Sequence, residues 1–456
     1  MTTNRIIILG GGFGGIYTAL RLEKLLARRT DAEISLVTRD NYFLFTPMLH
    51  EVAANDLEET NIINPLRKLL GRVKTFVGTV QSIDLHRRTV HVSHGLQDHG
   101  HDLPFDHLVL ALGSSVNFFN LPGVEDFAVT MKSLTDAVEL RNRIVTHLEE
   151  ANSECAAGER HPLLTFVVAG GGFAGVETLG AINDFIRDAI SFYPNLKIEN
   201  MKMVLVTPED LILPELNHRL RVYAQRKIEQ RGIELITGAR VEGVHEGVVS
   251  LSTGRHIHTS TLIWTAGNAS NPLIASLGLP TRGGRVVVDE YLRVEGTENV
   301  WAAGDCAAVR DGKGGYHPAT AQHALREARV LADNLCAVIL GRRKRRFCFS
   351  TIGQLAAIGR RTGVANILGI NFSGFVAWWL WRTIYLSKLP RLEKKLRVAL
   401  DWTLDLLFAK DFASVNTAHS TYSRPISADT VHLRNSPKRE TGDSIDSQLV
   451  FDAGLR

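Results

Sequence analysis

The stretch FVVAGGGFAGVE, Phe166 to Glu177, repeats the pattern of an earlier stretch of the same chain, an apolar run that meets the cluster GGGF. The earlier copy is IIILGGGFGGIY, from Ile6 to Tyr17. Each copy joins an apolar run to G-x-G-x-x-G, the pattern of a buried strand, a tight turn and the start of a helix. The copies differ two residues after the last glycine, where one has Tyr17 and the other Glu177. One structural unit is therefore expected to occur twice.

The residues around each copy predict alternating strands and helices. In the first unit the pattern predicts strands at 6–9, 33–37 and 106–112, a turn at 10–15 and a helix at 16–27. In the second it predicts strands at 164–169, 201–206 and 261–267, a turn at 170–175 and a helix at 176–190. This alternation is typical of parallel βαβ units. We therefore expect an α/β fold with two Rossmann-like units, about 160 residues apart.

A further strand pattern, NVWAAGD at 299–305, comes too late to belong to the second unit. We expect it to return to the first sheet, so that the second unit is an insertion in the first domain. The domains predicted on this basis are 1–118 with 285–345, 119–284, a C-terminal region at 346–412, and a polar tail at 413–456 that we expect to be disordered.

Composition excludes several classes of protein. Hydrophobic residues make up 45% and charged residues 22% of the 456 residues, which is ordinary for a folded protein. The net charge of +4 does not suggest a nucleic-acid binder. The four cysteines form no C-x-x-C or metal-like spacing, and no signal peptide precedes the first strand pattern. We expect free thiols in a reducing cytoplasmic setting.

The glycine patterns themselves indicate dinucleotide binding. The first glycine permits the turn, the second lets backbone amides approach a pyrophosphate, and the third lets helix and strand pack closely. The acid that usually follows the second strand of such a unit is replaced by Thr38 and Thr207. The neighbours that could contact a ribose instead are Arg39, Asp40, Glu209 and Asp210. Because no arginine directly follows Thr207 to hold a 2′-phosphate, the second unit favours NADH over NADPH.

The C-terminal region raises the question of a membrane. Residues 363–381 carry no charge, but their glycines, asparagines and serine favour a strand, a turn and a helix start over a spanning helix. The stretch RLEKKLRVALDWTLDLLF predicts an amphipathic helix. Its apolar side is expected to hold Leu392, Leu396, Leu400, Leu404, Leu407 and Phe408, and its polar side Lys394, Lys395 and Arg397. Such a helix can lie in a membrane interface or pack on the protein or at a dimer contact.

The motifs, taken in order, resemble the glutathione-reductase-like flavoproteins with two dinucleotide-binding domains, and more closely the type II NADH dehydrogenases, which are NADH:quinone oxidoreductases. The resemblance extends from residue 5 to about 410. The stretches that carry it are IIILGGGFGG, NYFLFTPMLHEVA, LVLALGS, VVAGGGFAGVE, LIWTAG, WAAGDCA, PATAQHALREA and GQLAAIGRR. It implies FAD in the first unit, NADH in the second and a membrane quinone as acceptor.

The resemblance also implies roles for particular residues. Those implied at FAD are Gly10, Gly12, Phe13, Gly14 and Gly15 at the pyrophosphate, Thr38 and Arg39 at the adenosine ribose, Val80 at the adenine, Pro47 over the flavin, Gly113 and Gly304 at strand ends, Asp305 at the ribityl chain, and Ala321 with Gln322 at the isoalloxazine. Those implied at NADH are Gly170, Gly172, Gly175, Glu177, Thr207 and Gly267. Asp305 would also suit a helix N-cap.

The second half of the reaction needs protons as well as electrons. Glu177 and Gln322, the latter with His323, are the candidate catalytic residues, although His323 and His317 also suit packed, structural positions. The chain departs from the family signature A-Q-x-A-x-Q, because Arg326 stands where the second glutamine is expected. A cation there could favour a more acidic quinone head or a different oxidant.

Two other functions stay open at this point. Sulfide:quinone oxidoreductases share the architecture and use paired cysteines, for which Cys155 and Cys348 are the candidates. A flavin redox sensor, in which NADH binding drives association and turnover is incidental, is the other. The main expectation is a monotopic enzyme on the cytoplasmic face of the inner or plasma membrane that does not pump protons. A homodimer is left open.

Overall fold

The structure is a computed structural model that describes residues 3–95, 99–405, 407–408 and 412–413. Its α-helices are α1 (Phe13–Leu25), α2 (Leu49–Ala53), α3 (Leu66–Leu69), α4 (Val124–Phe127), α5 (Leu134–Ser153), α6 (Ala157–Leu163), α7 (Phe173–Ile190), α8 (His218–Gln230), α9 (Pro272–Ala275), α10 (Ala321–Ile339), α11 (Phe375–Lys388) and α12 (Leu392–Leu404). Short 3₁₀ helices are Thr46–Met48, Glu59–Asn61 and Ile198–Asn200.

The strands are β1 (Asn4–Leu9), β2 (Ala32–Thr38), β3 (Tyr42–Leu44), β4 (Ile63–Pro65), β5 (Lys74–Val77), β6 (Thr79–Asp84), β7 (Thr89–His94), β8 (His99–Pro104), β9 (His107–Leu110), β10 (Ser114–Val116), β11 (Val129–Thr130), β12 (Thr165–Ala169), β13 (Lys202–Val206), β14 (Glu234–Ile236), β15 (Val241–His245), β16 (Val248–Leu251), β17 (His256–His258), β18 (Thr261–Trp264), β19 (Asn268–Ser270), β20 (Thr281–Arg282), β21 (Arg285–Val287), β22 (Val300–Ala302), β23 (Ala307–Ala308), β24 (Gly353–Ala357), β25 (Gly363–Ile367) and β26 (Ile370–Gly374).

Two five-stranded parallel sheets confirm the predicted internal repeat. The first has the order β22-β9-β1-β2-β5 and the second the order β11-β18-β12-β13-β14. β1 and β12 hold the same central place in their sheets, and a glycine turn and a helix follow each. Because all strands of each sheet run parallel, both glycine turns lie at a carboxyl edge, where open α/β sheets bind their ligands.

The late strand returns to the first sheet, as predicted. β22 pairs in parallel with β9, Trp301 opposite Val109, and so becomes the edge strand of the first sheet. The second sheet is built entirely from residues between β9 and β22. Antiparallel β10 and β19 pair with each other where the chain enters and leaves this inserted part. The two ends of the insertion therefore lie side by side.

Alternation along β12 explains why this strand is apolar throughout. Phe166 and Val168 face the main apolar core, whereas Val167 and Ala169 face a second cluster on the other side of the sheet. Successive side chains of a strand point to opposite faces, so a strand covered on both sides must be apolar at every position. The unbroken apolar run in the sequence reflects this double burial.

The helix starts differ from those predicted. α1 begins at Phe13 and α7 at Phe173, three residues earlier than the sequence pattern indicated. The last part of each G-x-G-x-x-G motif is therefore already helical, and Gly12 and Gly172 are the N-cap residues. The apolar periodicity of the sequence does not reveal these first helical turns, because glycine contributes no apolar side chain to the pattern.

The C-terminal region is a three-stranded antiparallel sheet, β24-β25-β26, followed by α11 and α12. The uncharged stretch 363–381 forms two strands of this sheet and the first turns of α11, so its prediction as non-spanning is confirmed. No helix among the described residues is both long and apolar enough to cross a bilayer. The predicted polar tail lies outside the described residues except for Ala413.

The orientation of α12 corrects one detail of its sequence prediction. The helix forms and its leucines share one side, but that side is exposed, with Leu396 64% accessible. The buried side holds Lys394, Val398 and Trp402. Lys394 Nζ donates to the Thr60 carbonyl at 2.6 Å, so this lysine is not on a solvent-facing polar side. The sequence also predicts Arg397 opposite the leucines. It is exposed, and at about 140° around the helix axis from Leu392 it lies at the edge of the leucine side.

The C-terminal sheet touches the second unit at Gly180 of α7. A Cβ atom there would lie 2.6 Å from both the carbonyl carbon and the carbonyl oxygen of Ile358. Only a residue without a side chain lets the helix and this backbone approach so closely. Gly180 therefore fixes the distance between α7 and the chain that follows β24.

Replacing Gly180 by alanine should destabilise the protein by about 1–3 kcal/mol, because the new methyl group overpacks against backbone that cannot rotate away. The matched control is Gly158→Ala in α6, where a Cβ would meet nothing within 4 Å and alanine favours the helix. Thermal unfolding followed by circular dichroism should show a lower midpoint for Gly180→Ala alone. Equal midpoints for the two variants would contradict the close approach.

Candidate active site

The two glycine turns have the same geometry. Gly10 has φ +112° and Gly170 φ +118°, a region that residues with side chains rarely adopt. A Cβ on Gly15 would lie 1.9 Å from the Gly10 carbonyl oxygen, and one on Gly175 would lie 2.0 Å from that of Gly170. The first and last glycines are thus required by the turn itself, whether or not a ligand is bound.

The middle glycines are different, and they are the ones that fit a ligand. A Cβ on Gly12 would meet no atom within 4 Å, and one on Gly172 would meet only Glu215 Oε1 at 3.9 Å. No packing requirement explains glycine there, whereas a group approaching the backbone would. Each of these glycines caps a helix whose free amides favour an anion. Both turns therefore fit the pyrophosphate of a dinucleotide.

Thr38 and Thr207 lie beneath the turns. Both side chains are buried, and their Oγ1 atoms lie where a side chain on the facing Gly11 or Gly171 would go. The residues that follow are exposed at the same carboxyl edges. They are Arg39 and Asp40 in the first unit and Glu209 and Asp210 in the second. Polar side chains are thus available to a ribose at each edge.

Two carboxyl groups with different surroundings, one on the loop after β22 and one on α10, lie at the end of β22. Asp305 accepts a hydrogen bond from Ser114 Oγ at 3.0 Å, and Lys132 Nζ reaches the same serine at 3.1 Å. Glu327 of α10 is buried and accepts a bond from the Gly304 amide at 2.7 Å. Burial raises the pKa of Glu327 to about 7. Sequence reasoning missed Glu327, because only the fold brings α10 to this loop.

The other residues predicted at the two cofactors are spread over several elements of the fold. Phe13 contacts the rings of Phe43 and Phe45, which precede the 3₁₀ helix that contains Pro47. Val80 is in β6, the first strand of a small antiparallel sheet. Gly113 and Gly267 follow β9 and β18 and have φ +68° and +76°. Ala321 begins α10.

Gln322 is held against the start of the C-terminal sheet. Its Nε2 donates to the Gly353 carbonyl at 3.0 Å, and its Oε1 accepts from the Ile352 amide at 2.8 Å. His323 points elsewhere: it is buried beside His317, with ring centroids 4.9 Å apart. Burial lowers the pKa of His323 to about 4. The packed, structural reading of both histidines therefore agrees with their surroundings.

Glu177 lies where α7, β24 and α11 meet, and its side chain is only 12% exposed. Its Oε1 accepts hydrogen bonds from Trp381 Nε1 at 2.8 Å and from the Ala357 amide at 3.2 Å. Burial raises its pKa to about 8, and burial lowers the pKa of His50 to about 4. The two side chains are 3.9 Å apart but form no ion pair near neutral pH, because both are then mainly uncharged.

A polar cavity of about 40 Å³ adjoins Glu177, enough for roughly three water molecules. Its lining includes His50, Glu51, Asp56, Asp184 and Arg382. A cavity large enough for water and lined by titratable groups, beside a carboxyl with a raised pKa, allows proton exchange with solvent. Glu177 is therefore suited to donate a proton at neutral pH and to be reprotonated.

The two predicted catalytic residues do not touch. Gln322 is bonded to Gly353 and Glu177 to Ala357, at opposite ends of β24. A strand rises about 3.3 Å per residue, so these anchors are roughly 13 Å apart. Glu177 and Gln322 thus flank one strand and do not form a single hydrogen-bonded relay.

All four cysteines are free. Cys155 and Cys348, the pair that a sulfide-oxidising site would need, are exposed, whereas Cys306 and Cys336 are buried. Burial raises the pKa of Cys306 to about 12, which makes it a poor nucleophile.

Comparison with known proteins agrees with this geometry. Residues 4–328 match the model of the pyridine nucleotide-disulphide oxidoreductase family, and residues 352–411 match the NDH2 C-terminal domain. The chain is 30% identical to a type II NADH:quinone oxidoreductase of Mycobacterium tuberculosis over 92% of each chain. It belongs to the type II NADH:quinone oxidoreductase family. The resemblance inferred from the motifs is therefore confirmed.

Two further proteins show how far the likeness extends. A demethylphylloquinone reductase of Synechocystis is 33% identical, over 87% of this chain and 95% of that one. The solved structure of an NDH2 from Plasmodium falciparum in complex with NADH superposes with a TM-score of 0.83 at 19% identity, covering 90% of this chain and 100% of that one. The type II fold thus includes the C-terminal region as well as both Rossmann-like units.

The raised pKa of Glu177 should make stability depend on pH. Between its ordinary value of 4.5 and about 8, the folded state keeps a proton that the unfolded chain releases. Stability should therefore be greatest below this window and fall as pH rises through it, by about 1.4 kcal/mol for each unit of pH. Glu177→Gln should show a shallower slope than the wild type in thermal unfolding between pH 5 and 8, with the difference clearest above pH 7, beyond the window of Glu327. Glu150→Gln, at an exposed position of α5, is the control and should keep the full slope; a full slope in Glu177→Gln would contradict the raised pKa of this acid.

Proposed function

We propose that this protein oxidises NADH and passes two electrons through FAD to a membrane quinone, without moving protons across the membrane. The observation that carries the proposal is the pair of equal glycine turns, each at the carboxyl edge of its own parallel sheet. One turn would hold the resident cofactor and the other the substrate. The C-terminal region contacts α7 and α10, the helices associated with both units, and would complete the site.

The first unit fits FAD. Gly12 and the amides at the start of α1 would hold its pyrophosphate, Thr38 and Arg39 the adenosine ribose, and Asp305 the ribityl hydroxyls. Glu327 would act indirectly, since its bond to the Gly304 amide fixes the loop that carries Asp305. When bound, FAD supplies the chemistry of accepting a hydride and returning two electrons.

The second unit fits NADH. Gly172 and the start of α7 would hold the pyrophosphate. The acid that follows the second strand of a Rossmann unit marks the adenosine end, so Thr207 and its exposed neighbours would lie there. Gly267, beyond β18 on the other side of β12, would then lie towards the nicotinamide. The absence of an arginine directly after Thr207 favours NADH over NADPH.

Glu177 would supply a proton to the reduced quinone. Its carboxyl is mostly protonated at neutral pH, and the adjoining cavity provides a route for the next proton. Gln322, fixed to Ile352 and Gly353, would instead orient a ring at the start of α10. The two residues thus have separate roles, one at each end of β24.

These assignments define the proposed domains. Residues 1–118 and 285–345 form the FAD-binding domain, residues 119–284 the NADH-binding domain, and residues 346–412 the C-terminal membrane or dimer-contact region. The continuity of the first sheet, whose edge strand β22 comes from the second of these segments, supports a discontinuous FAD domain.

The activity can be tested by anaerobic titration of the flavin-loaded protein with NADH and NADPH, followed by a panel of quinones. We expect NADH to reduce the flavin more readily than NADPH does, and quinones to reoxidise it faster than oxygen does. Flavin that is reduced but reoxidised no faster by any quinone would contradict the enzyme and favour the redox sensor.

In the same assay, Glu177→Gln should slow quinone-dependent turnover by about 10²–10⁴-fold if proton donation is its role. Flavin reduction by NADH should change little, and FAD should stay bound. Turnover equal to that of the wild type would remove Glu177 from the mechanism.

We also propose that the protein docks on the cytoplasmic face of the inner or plasma membrane as a peripheral, monotopic protein. The exposed apolar residues of the C-terminal region support this. They are Leu392, Leu396, Leu400, Leu404, Leu407 and Phe408 on and after α12, Phe375, Val376 and Trp379 on α11, and Leu368 and Ile370 on the preceding hairpin. Exposed leucines and aromatics with nearby basic residues are typical of helices that lie in a membrane interface.

Membrane docking predicts that Leu396→Glu combined with Leu400→Glu weakens binding to phospholipid vesicles by at least tenfold, because each change costs the transfer of an apolar side chain and adds a charge. Turnover with a water-soluble quinone should persist. The control is Val338→Glu, at an exposed apolar position of α10. Unaltered vesicle binding combined with a change in oligomeric state would favour a homodimer contact instead.

A further inference from the structure

Arg326 replaces the glutamine that the A-Q-x-A-x-Q signature leads one to expect. It lies one turn after Gln322 on α10, and its Nη1 donates to the Gln322 carbonyl at 2.9 Å. Its guanidinium carbon lies 4.2 Å from the centroid of the Phe349 ring. The side chain is thus fixed on both sides, by its own helix and by the irregular segment that leads into β24.

A second cation, Lys388, lies near it at the last turn of α11. Both side chains are partly buried, and burial lowers the pKa of each. The charge of Arg326 lowers the pKa of Lys388 further, so the two are close enough to repel each other. Two elements of the fold therefore place like charges within electrostatic range of each other.

The described residues supply no carboxylate counter-ion for these charges. No described carboxylate forms an ion pair with Arg326 or Lys388. The remaining charged neighbour of Arg326 is Arg329, which is a further cation. Partly buried like charges without a counter-ion cost free energy, and a bound anion would offset that cost.

We propose that Arg326 and Lys388 form an anion-binding wall of the acceptor site that selects quinones with an ionised hydroxyl group on the quinone ring. This inference rests on the proposed function, because it places the acceptor beside Gln322. A hydroxyl on the quinone ring ionises readily, because the carbonyl conjugated with it across the ring double bond shares its charge. The ionised oxygen and the carbonyl oxygen on the adjacent carbon lie side by side in the ring plane, so the fork of the Arg326 guanidinium can donate to both.

The reaction balances with this substrate. The hydroxyquinone anion takes up two electrons and two protons, so both carbonyls become hydroxyls while the ionised oxygen keeps its charge. NADH supplies a hydride, which is both electrons and one proton, and the second proton comes from solvent by way of Glu177, as in the proposed function. The remaining oxyanion is protonated by solvent after release. No other oxidant or reductant is required.

The test compares 2-hydroxy-1,4-naphthoquinone with unsubstituted 1,4-naphthoquinone as acceptors for the flavin-loaded enzyme. The ratio of their kcat/KM values should fall about tenfold in Arg326→Gln, or ~1.4 kcal/mol of discrimination. Arg326→Lys should keep part of it, since the charge stays and the fork is lost. Lys388→Gln should lower the ratio less. The control, Arg329→Gln, removes an exposed cation from the same helix and should leave the ratio unchanged.

A binding measurement without NADH gives a second readout. Tryptophan fluorescence titration of the oxidised enzyme with 2-hydroxy-1,4-naphthoquinone should show tighter binding in the wild type than in Arg326→Gln, with the difference shrinking at high salt. An equal ratio of kcat/KM and equal binding in folded Arg326→Gln would overturn the proposal. So would an effect of Arg326→Gln seen only with anionic vesicles, which would assign the cations to a lipid phosphate. Failure of the wild type to reduce either quinone would instead contradict the proposed function.

Discussion

The C-terminal region is arranged around one buried carboxyl group, that of Glu177. A carboxyl removed from water must stay protonated or find hydrogen-bond donors, and Glu177 does both. Its donors, Trp381 and the Ala357 amide, come from α11 and β24. The hydrogen bonds of Glu177 therefore form only when the C-terminal region packs against α7. Gly180, less than one turn further along α7, then permits the backbone contact that holds this region there.

The contrast between Tyr17 and Glu177 has a physical basis in what each helix packs against. Tyr17 lies beside Phe13 and Phe43, so the same helical position in the first unit contributes to an aromatic cluster. In the second unit that position faces a polar cavity, with His50 and Trp381 as neighbours. Duplicated backbone geometry thus coexists with different chemistry, because the turn depends on its glycines and tolerates either side chain.

The features of this structure that could be predicted from the sequence are those that depend on residues close together in the chain. The glycine turns, the two sheets and the return of β22 follow from patterns a few residues long, because strand burial and turn sterics act locally. The burial of Lys394 did not, since periodicity shows which side of α12 is apolar but not which side finds a partner. Glu327 and the anchoring of Gln322 were missed for the same reason. Their partners, Gly304 and Gly353, are distant in sequence and become neighbours only through the fold.

Helix α12 links the exposed apolar side chains of the C-terminal region to Glu177. Trp402, on the inner side of α12, donates to Glu51 at 3.2 Å, and Arg382 lies between the rings of Trp402 and Trp378. Glu51 and Arg382 both line the cavity beside Glu177. One layer of side chains therefore separates the exposed leucines from the cavity beside Glu177. Under the proposed membrane docking, this layer would place Glu177 close to the bilayer surface, where a group that exchanges protons with a membrane-bound acceptor is needed.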